Sequence, residues 1–95
     1  MKLLLTSGGV RNPSIRDALV GMLGKPISES AALCIPTAQW GHPRCGPPSV
    51  RRFISGSDPG DAMTSLGWES VGVLELTALP TIATERWVEW VHEAD

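Results

Sequence analysis

Short apolar runs alternate along this chain with stretches whose apolar residues recur every three or four positions, and that order restricts the fold more than any other feature. Residues 2–6, KLLLT, form a continuous apolar run stopped by Ser7, Gly8 and Gly9, the pattern of a strand buried on both faces of a parallel sheet. The next stretch, NPSIRDALVGMLGK, opens with Asn12 as an N-cap and Pro13 at the first helical position. Its Ile15, Ala18, Leu19, Met22 and Leu23 fall on one helical stripe, and Gly24 supplies the stop. SAALCIPTA then reads as a second buried strand, ended by Pro36, which has no N–H for a ladder.

The remainder repeats the alternation less cleanly. Residues 39–60 carry Pro43, Pro47, Pro48 and Pro59 with several glycines, around a brief helical pattern at Val50, Phe53 and Ile54. DAMTSLG reads as a helix closing at Gly67, and SVGVLELT as a third strand. TERWVEWVHEAD reads as a helix capped by Thr84, with Trp87, Val88, Val91 and Ala94 on its apolar face. Strand alternating with helix predicts parallel strands joined by right-handed crossovers, the start of a three-layer α/β sheet. The 95 residues allow one domain. A doubly wound fold calls for a fourth strand after the last helix, so residues 1–95 read as a single incomplete α/β domain.

Several function classes are disfavoured. No apolar run approaches the roughly 20 residues of a membrane span, and MKLLLTSGG is too short for the apolar region of a secretory signal. These features argue for a cytoplasmic protein. Eight basic and ten acidic residues give a net charge of −2, and the one basic cluster, Arg51 with Arg52, is too small for a nucleic-acid surface.

The loop that follows the second strand, LCIPTAQWGHPRCGPP, collects most of the chemistry-bearing residues: Trp40, His42 and Cys45. Cys34 lies inside an apolar run, where a free cysteine behaves as a small buried hydrophobe. Cys45 and His42 allow a nucleophilic pair or half of a metal site to be drawn. A metal needs two more ligands, and the nearest candidates, Asp58 and Asp61, lie in a separate segment, so no metal site is expected. Gly8 and Gly9 invite a phosphate-binding reading, but SGGVRNPS fits neither GxGxxG nor the P-loop pattern. Thr6 and Ser7 are hydroxyls at a strand's C-terminal end, where α/β ligand sites lie, yet no GxSxG elbow surrounds them. Trp87 and Trp90 are expected to pack on the sheet, and His92 to favour the negative end of the last helix.

The segments MKLLLTSGGVRNPSIRDALVGMLGKPISES, ALCIPTAQWGHP, RRFISG and LGWESVGVLELTALP, taken in their order and spacing, resemble the N-terminal part of bacterial peptidase E, the α-aspartyl dipeptidase family of serine peptidases. The resemblance covers nearly the whole chain. It implies a sheet related to class I glutamine amidotransferases, flavodoxin-like, with strand order 3-2-1 over these residues. It also implies hydrolysis of dipeptides with an N-terminal aspartate by a Ser, His and Asp or Glu triad, with no cofactor. In such enzymes a further strand leads to a GxSAG nucleophile elbow, then to the acid and the histidine. None of these maps onto residues 1–95, so no catalytic residue is assigned, the substrate-binding residues stay unknown, and His42 and Cys45 are expected at most at the rim of a cleft. Two readings follow. One is the N-terminal portion of a dipeptidase, inactive without its other half. The other is a non-enzymatic module that self-associates or pairs with a complementary chain, because residues 2–6 would otherwise leave a bare sheet edge.

Overall fold

The computed structural model describes residues 2–6, 9–56 and 62–95. Three α-helices, α1 (Pro13–Leu23), α2 (Pro47–Ser55) and α3 (Thr84–Glu93), alternate with two strands, β1 (Ala31–Cys34) and β2 (Ser70–Val73). Single 3₁₀ turns at Ile27–Glu29, Pro36–Gly41, Met63–Leu66 and Leu76–Thr81 connect them. The strands pair in parallel, with Ala31 opposite Ser70 and Cys34 opposite Val73. The described residues therefore form a mixed α/β structure with a two-stranded parallel sheet.

Local sequence chemistry sets both ends of α1. The Asn12 side chain accepts from the Ile15 N–H at 2.9 Å, satisfying one of the donors that a helix start leaves free. At the other end Gly24 turns left-handed at φ 73° and donates its N–H to the Val20 carbonyl, a conformation in which a side chain is penalised. Ile15, Leu19, Met22 and Leu23 are half-buried as their stripe predicts, while Ala18 is exposed. In α3 the N-cap position is Ala83, with no side-chain cap, and Thr84 is the first helical residue. Trp87, Val88, Trp90 and Ala94 are half-buried, but Val91 is exposed. Met63–Leu66 form one 3₁₀ turn closed by Gly67 at φ 85° rather than an α-helix, and Asp61 lies outside the described residues.

The strands are shorter than their apolar runs. β1 stops at Cys34 because Pro36 opens a 3₁₀ turn. β2 stops at Val73 because the backbone after Glu75 winds into the next turn.

The largest departure is at the start of the chain. Residues 2–6 are not a strand and join no ladder, so the 3-2-1 sheet is not formed among the described residues. Leu3 and Leu5 are 66% and 88% exposed, although their composition suits burial. The segment is tied instead to α1, where Lys2 Nζ donates to the Met22 carbonyl at 2.9 Å. Among the described residues β1 and β2 each keep an outer sheet edge, and residues 2–6 supply none. Between that segment and β1 a cleft of about 1170 Å³ opens, walled by Leu4, Leu19, Met22, Leu33, Phe53 and Trp68 among others.

The core is correspondingly small. Ile27, Cys34, Ala62, Leu66 and Leu74 are the buried hydrophobic residues among those described, with Pro36 beside them. Ser30 is fully buried, and its hydroxyl donates to the Pro26 carbonyl at 2.9 Å, which removes the penalty of an unpaired polar group. Among the described residues no helix is long and apolar enough to cross a membrane.

Candidate functional site

Because β1 and β2 are parallel and in register to their last residues, the segments that leave their C-terminal ends emerge side by side. Pro36 ends the ladder after β1 and winds residues 36–41 into a turn, which places Thr37 and Trp40 beside Glu75, two residues past β2. The Thr37 hydroxyl donates to Glu75 Oε1. Trp40 Nε1–H donates to Glu75 Oε2 at 2.8 Å. Thr37 Oγ1 accepts in turn from the Leu76 N–H at 2.8 Å, so its proton is directed at the carboxylate. Thr77 adds its hydroxyl at 3.3 Å and its N–H at 3.5 Å to Oε1.

This shell fixes both the position and the charge of Glu75. The Thr37 hydrogen bond, followed by that from Trp40, holds the carboxyl below its ordinary range, against a smaller opposing effect of desolvation. Donors aimed at a carboxylate favour its ionised form. At neutral pH Glu75 is thus a fixed anion and acceptor, fitted to hold an ammonium or a hydroxyl and unfitted to give up a proton. Trp40 remains 46% exposed, leaving part of its indole beside the carboxylate open to a ligand.

The structure divides the residues that the sequence singles out. Trp40 enters the cluster. His42 and Cys45 do not: His42 Nδ1 accepts from the Arg44 N–H at 3.1 Å, and the His42 carbonyl accepts from the Cys45 N–H at 3.0 Å. Those bonds make the loop a corner. Cys34 and Cys45 are both free thiols, the first buried and the second half-buried, and burial raises the Cys34 pKa. Thr6 Oγ1 accepts from the Gly9 N–H at 3.2 Å, so that amide serves the local turn. Ser7, Gly8, Asp58 and Asp61 lie outside the described residues. Arg51 and Arg52 lie on α2, and His92 is exposed in the last turn of α3. Among the described residues no three His, Cys, Asp or Glu side chains come together as a metal site.

Glu75 and Thr37 escape a reading of the sequence because they are 38 positions apart and meet only through the strand register. A usable signal does exist. Each sits within three residues of the end of an apolar run, which in parallel sheets is the edge that carries ligands.

No protein-family model matches the chain, and no curated protein or solved structure resembles it significantly.

Proposed function

We propose that residues 1–95 are the N-terminal portion of a three-layer, flavodoxin-like α/β peptidase of the peptidase E kind, contributing scaffold and cleft rim to a serine dipeptidase that acts on N-terminal aspartyl dipeptides. The observation that supports this reading is the polar cluster of Thr37, Trp40 and Glu75 at the joint C-terminal end of two parallel strands, the edge at which α/β enzymes bind substrates. The Glu75 carboxylate is suited to the free ammonium of a dipeptide, and the exposed indole of Trp40 adds a face for the same cation. In the complete enzyme a serine outside these residues attacks the peptide carbonyl. A histidine takes the serine proton and passes it to the leaving amine, backbone N–H groups hold the oxyanion, and water then releases the acyl group.

Two measurements test the proposal. The 95-residue chain alone is expected not to hydrolyse Asp-Leu, since the nucleophile and base supply most of the rate enhancement. Turnover that disappears on substituting a residue within 1–95 overturns it. Sequencing the gene beyond codon 95 is expected to show an in-frame GxSAG segment, whereas a stop codon there favours the second reading. That reading is a non-enzymatic module that works by self-association, and the specific observation in its favour is the bare outer edge of β1 in a chain that also exposes Leu3 and Leu5.

A further inference from the structure

We propose that the open edge of β1 is completed by residues 2–6 of a second copy of this chain, in a reciprocal exchange of N-terminal segments. The inference rests on the self-association reading and names its surface.

The edge itself indicates what kind of molecule fits it. The Leu74 N–H donates to the Cys34 carbonyl at 2.9 Å and the Glu69 N–H to the Ser30 carbonyl at 3.0 Å, so the even-numbered residues of β1 face β2. Main-chain groups alternate sides along a strand, and Ala31, Leu33 and Ile35 therefore turn theirs the other way. At Ala31 the groups are occupied: the Asp95 N–H donates to the Ala31 carbonyl at 2.9 Å, and the Ala31 N–H donates to Asp95 Oδ2 at 2.8 Å. Leu33 and Ile35 have no such partner among the described residues and line the cleft. Trp68, which also lines the cleft, keeps a buried indole N–H with no acceptor among the described residues. Donors and acceptors spaced every second residue above apolar walls match an extended polypeptide, which supplies both at that spacing. A lipid or a nucleotide does not.

Residues 2–6 of another copy fit this place. They equal residues 31–35 in length and are apolar at Leu3, Leu4 and Leu5, and in a parallel alignment Lys2 falls level with Ala31, near the Asp95 carboxylate that Lys25 already pairs with. The copy's own segment is held elsewhere. Lys2 is bonded to Met22, and Lys2, Leu4 and Thr6 already line the cleft. After exchange, Leu19, Met22 and Leu23 of α1 cover the incoming strand.

The exposed area supports a second copy. The chain exposes 6613 Å², whereas a folded monomer of 10.2 kDa exposes about 5300 Å². The excess is larger than the roughly 800 Å² that each partner buries in a standard interface. Each chain supplies one N-terminal segment and one open β1 edge, so a two-fold exchange closes at that edge.

Sedimentation of the 95-residue chain across concentrations tests this, with amide exchange read at Leu33 and Ile35. The expected result is a dimer in which both amides exchange slowly. Leu3→Glu with Leu5→Glu alters two side chains that are exposed in the monomer, so circular dichroism should stay unchanged. Association should weaken by about a hundredfold or more, because the reciprocal dimer buries four carboxylates, two from each chain. A dimer that survives the double substitution overturns the exchange while leaving self-association standing. A monomer at every concentration with fast exchange at both amides overturns both readings. A monomer with slow exchange there shows that the chain's own segment closes the edge, and also overturns the proposal.

Discussion

Glu75 is held by donors from residues distant in sequence, and its depressed pKa makes it a pH-dependent clamp between the turns that follow β1 and β2. The folded pKa lies below the unfolded value of about 4.3, so its contribution to stability is complete above that value and is lost as pH falls through the folded pKa. Asp95 behaves alike, lowered first by Lys25 at 2.8 Å and then by the Ala31 N–H. Denaturation midpoints followed from pH 6 to pH 3 are expected to fall below pH 4 to 5. In Glu75→Gln the fall should be smaller, leaving the part due to Asp95, and an unchanged profile would remove the clamp. The loop cysteine makes a second residue-level case. A thiol reagent should label Cys45 before Cys34, which is 2% exposed. Cys45→Ser and His42→Ala should each change stability by no more than about 1 kcal/mol, and equal labelling rates would show that β1 opens readily. Trp40, His42 and Cys45 were legible as chemistry-bearing residues because they crowd one loop. Their different fates were not, because a hydrogen bond to Glu75 depends on register and the bonds around His42 depend on turn geometry.

Elements whose ends are set locally were the most readable. Asn12, Pro13 and Gly24 define α1 without reference to the rest of the chain, and the sequence locates it within a residue at either end. Residues 2–6 were misread as a sheet strand for the opposite reason. An apolar run is compatible with a strand, but pairing requires an edge elsewhere in the molecule, and local pattern carries no information about that edge. Glycines at element ends give an ordered prediction. A Cβ at Gly56 would lie 2.7 Å from the Arg52 carbonyl oxygen, a backbone atom that cannot rotate away, so Gly56→Ala must displace the end of α2. At Gly24 there is open space but φ is 73°, costing about 1 kcal/mol for an alanine. At Gly72 the close atom is Leu33 Cδ1 at 3.1 Å, a side-chain end that can turn. Chemical denaturation should therefore rank the losses as Gly56→Ala greatest, Gly24→Ala next and Gly72→Ala least. A Gly72 variant as damaging as the Gly56 variant would mean that Leu33 is held rigidly in the cleft.

At the scale of the molecule, alternating strand and helix patterns predicted an α/β structure with parallel strands, and the β1–β2 pair has that character. What the alternation could not convey is how little of the chain is closed over. The radius of gyration is 13.8 Å, against about 12.4 Å for a compact chain of this length, and an open cleft lies beside β1. Stability must then be concentrated in the half that is packed, around Cys34, Leu66 and Leu74. Leu74 is 2% exposed and its N–H closes the last rung onto Cys34. Truncating a buried leucine costs about 2 to 5 kcal/mol, a large share of what a small domain possesses. Leu74→Ala is accordingly expected to abolish cooperative unfolding at low chain concentration. Leu3→Ala, at a position already 66% exposed, should leave the unfolding curve unchanged there and weaken stability only where chains associate. Loss of cooperativity in both variants at low concentration would show that residues 2–6 already belong to the packed half of the monomer.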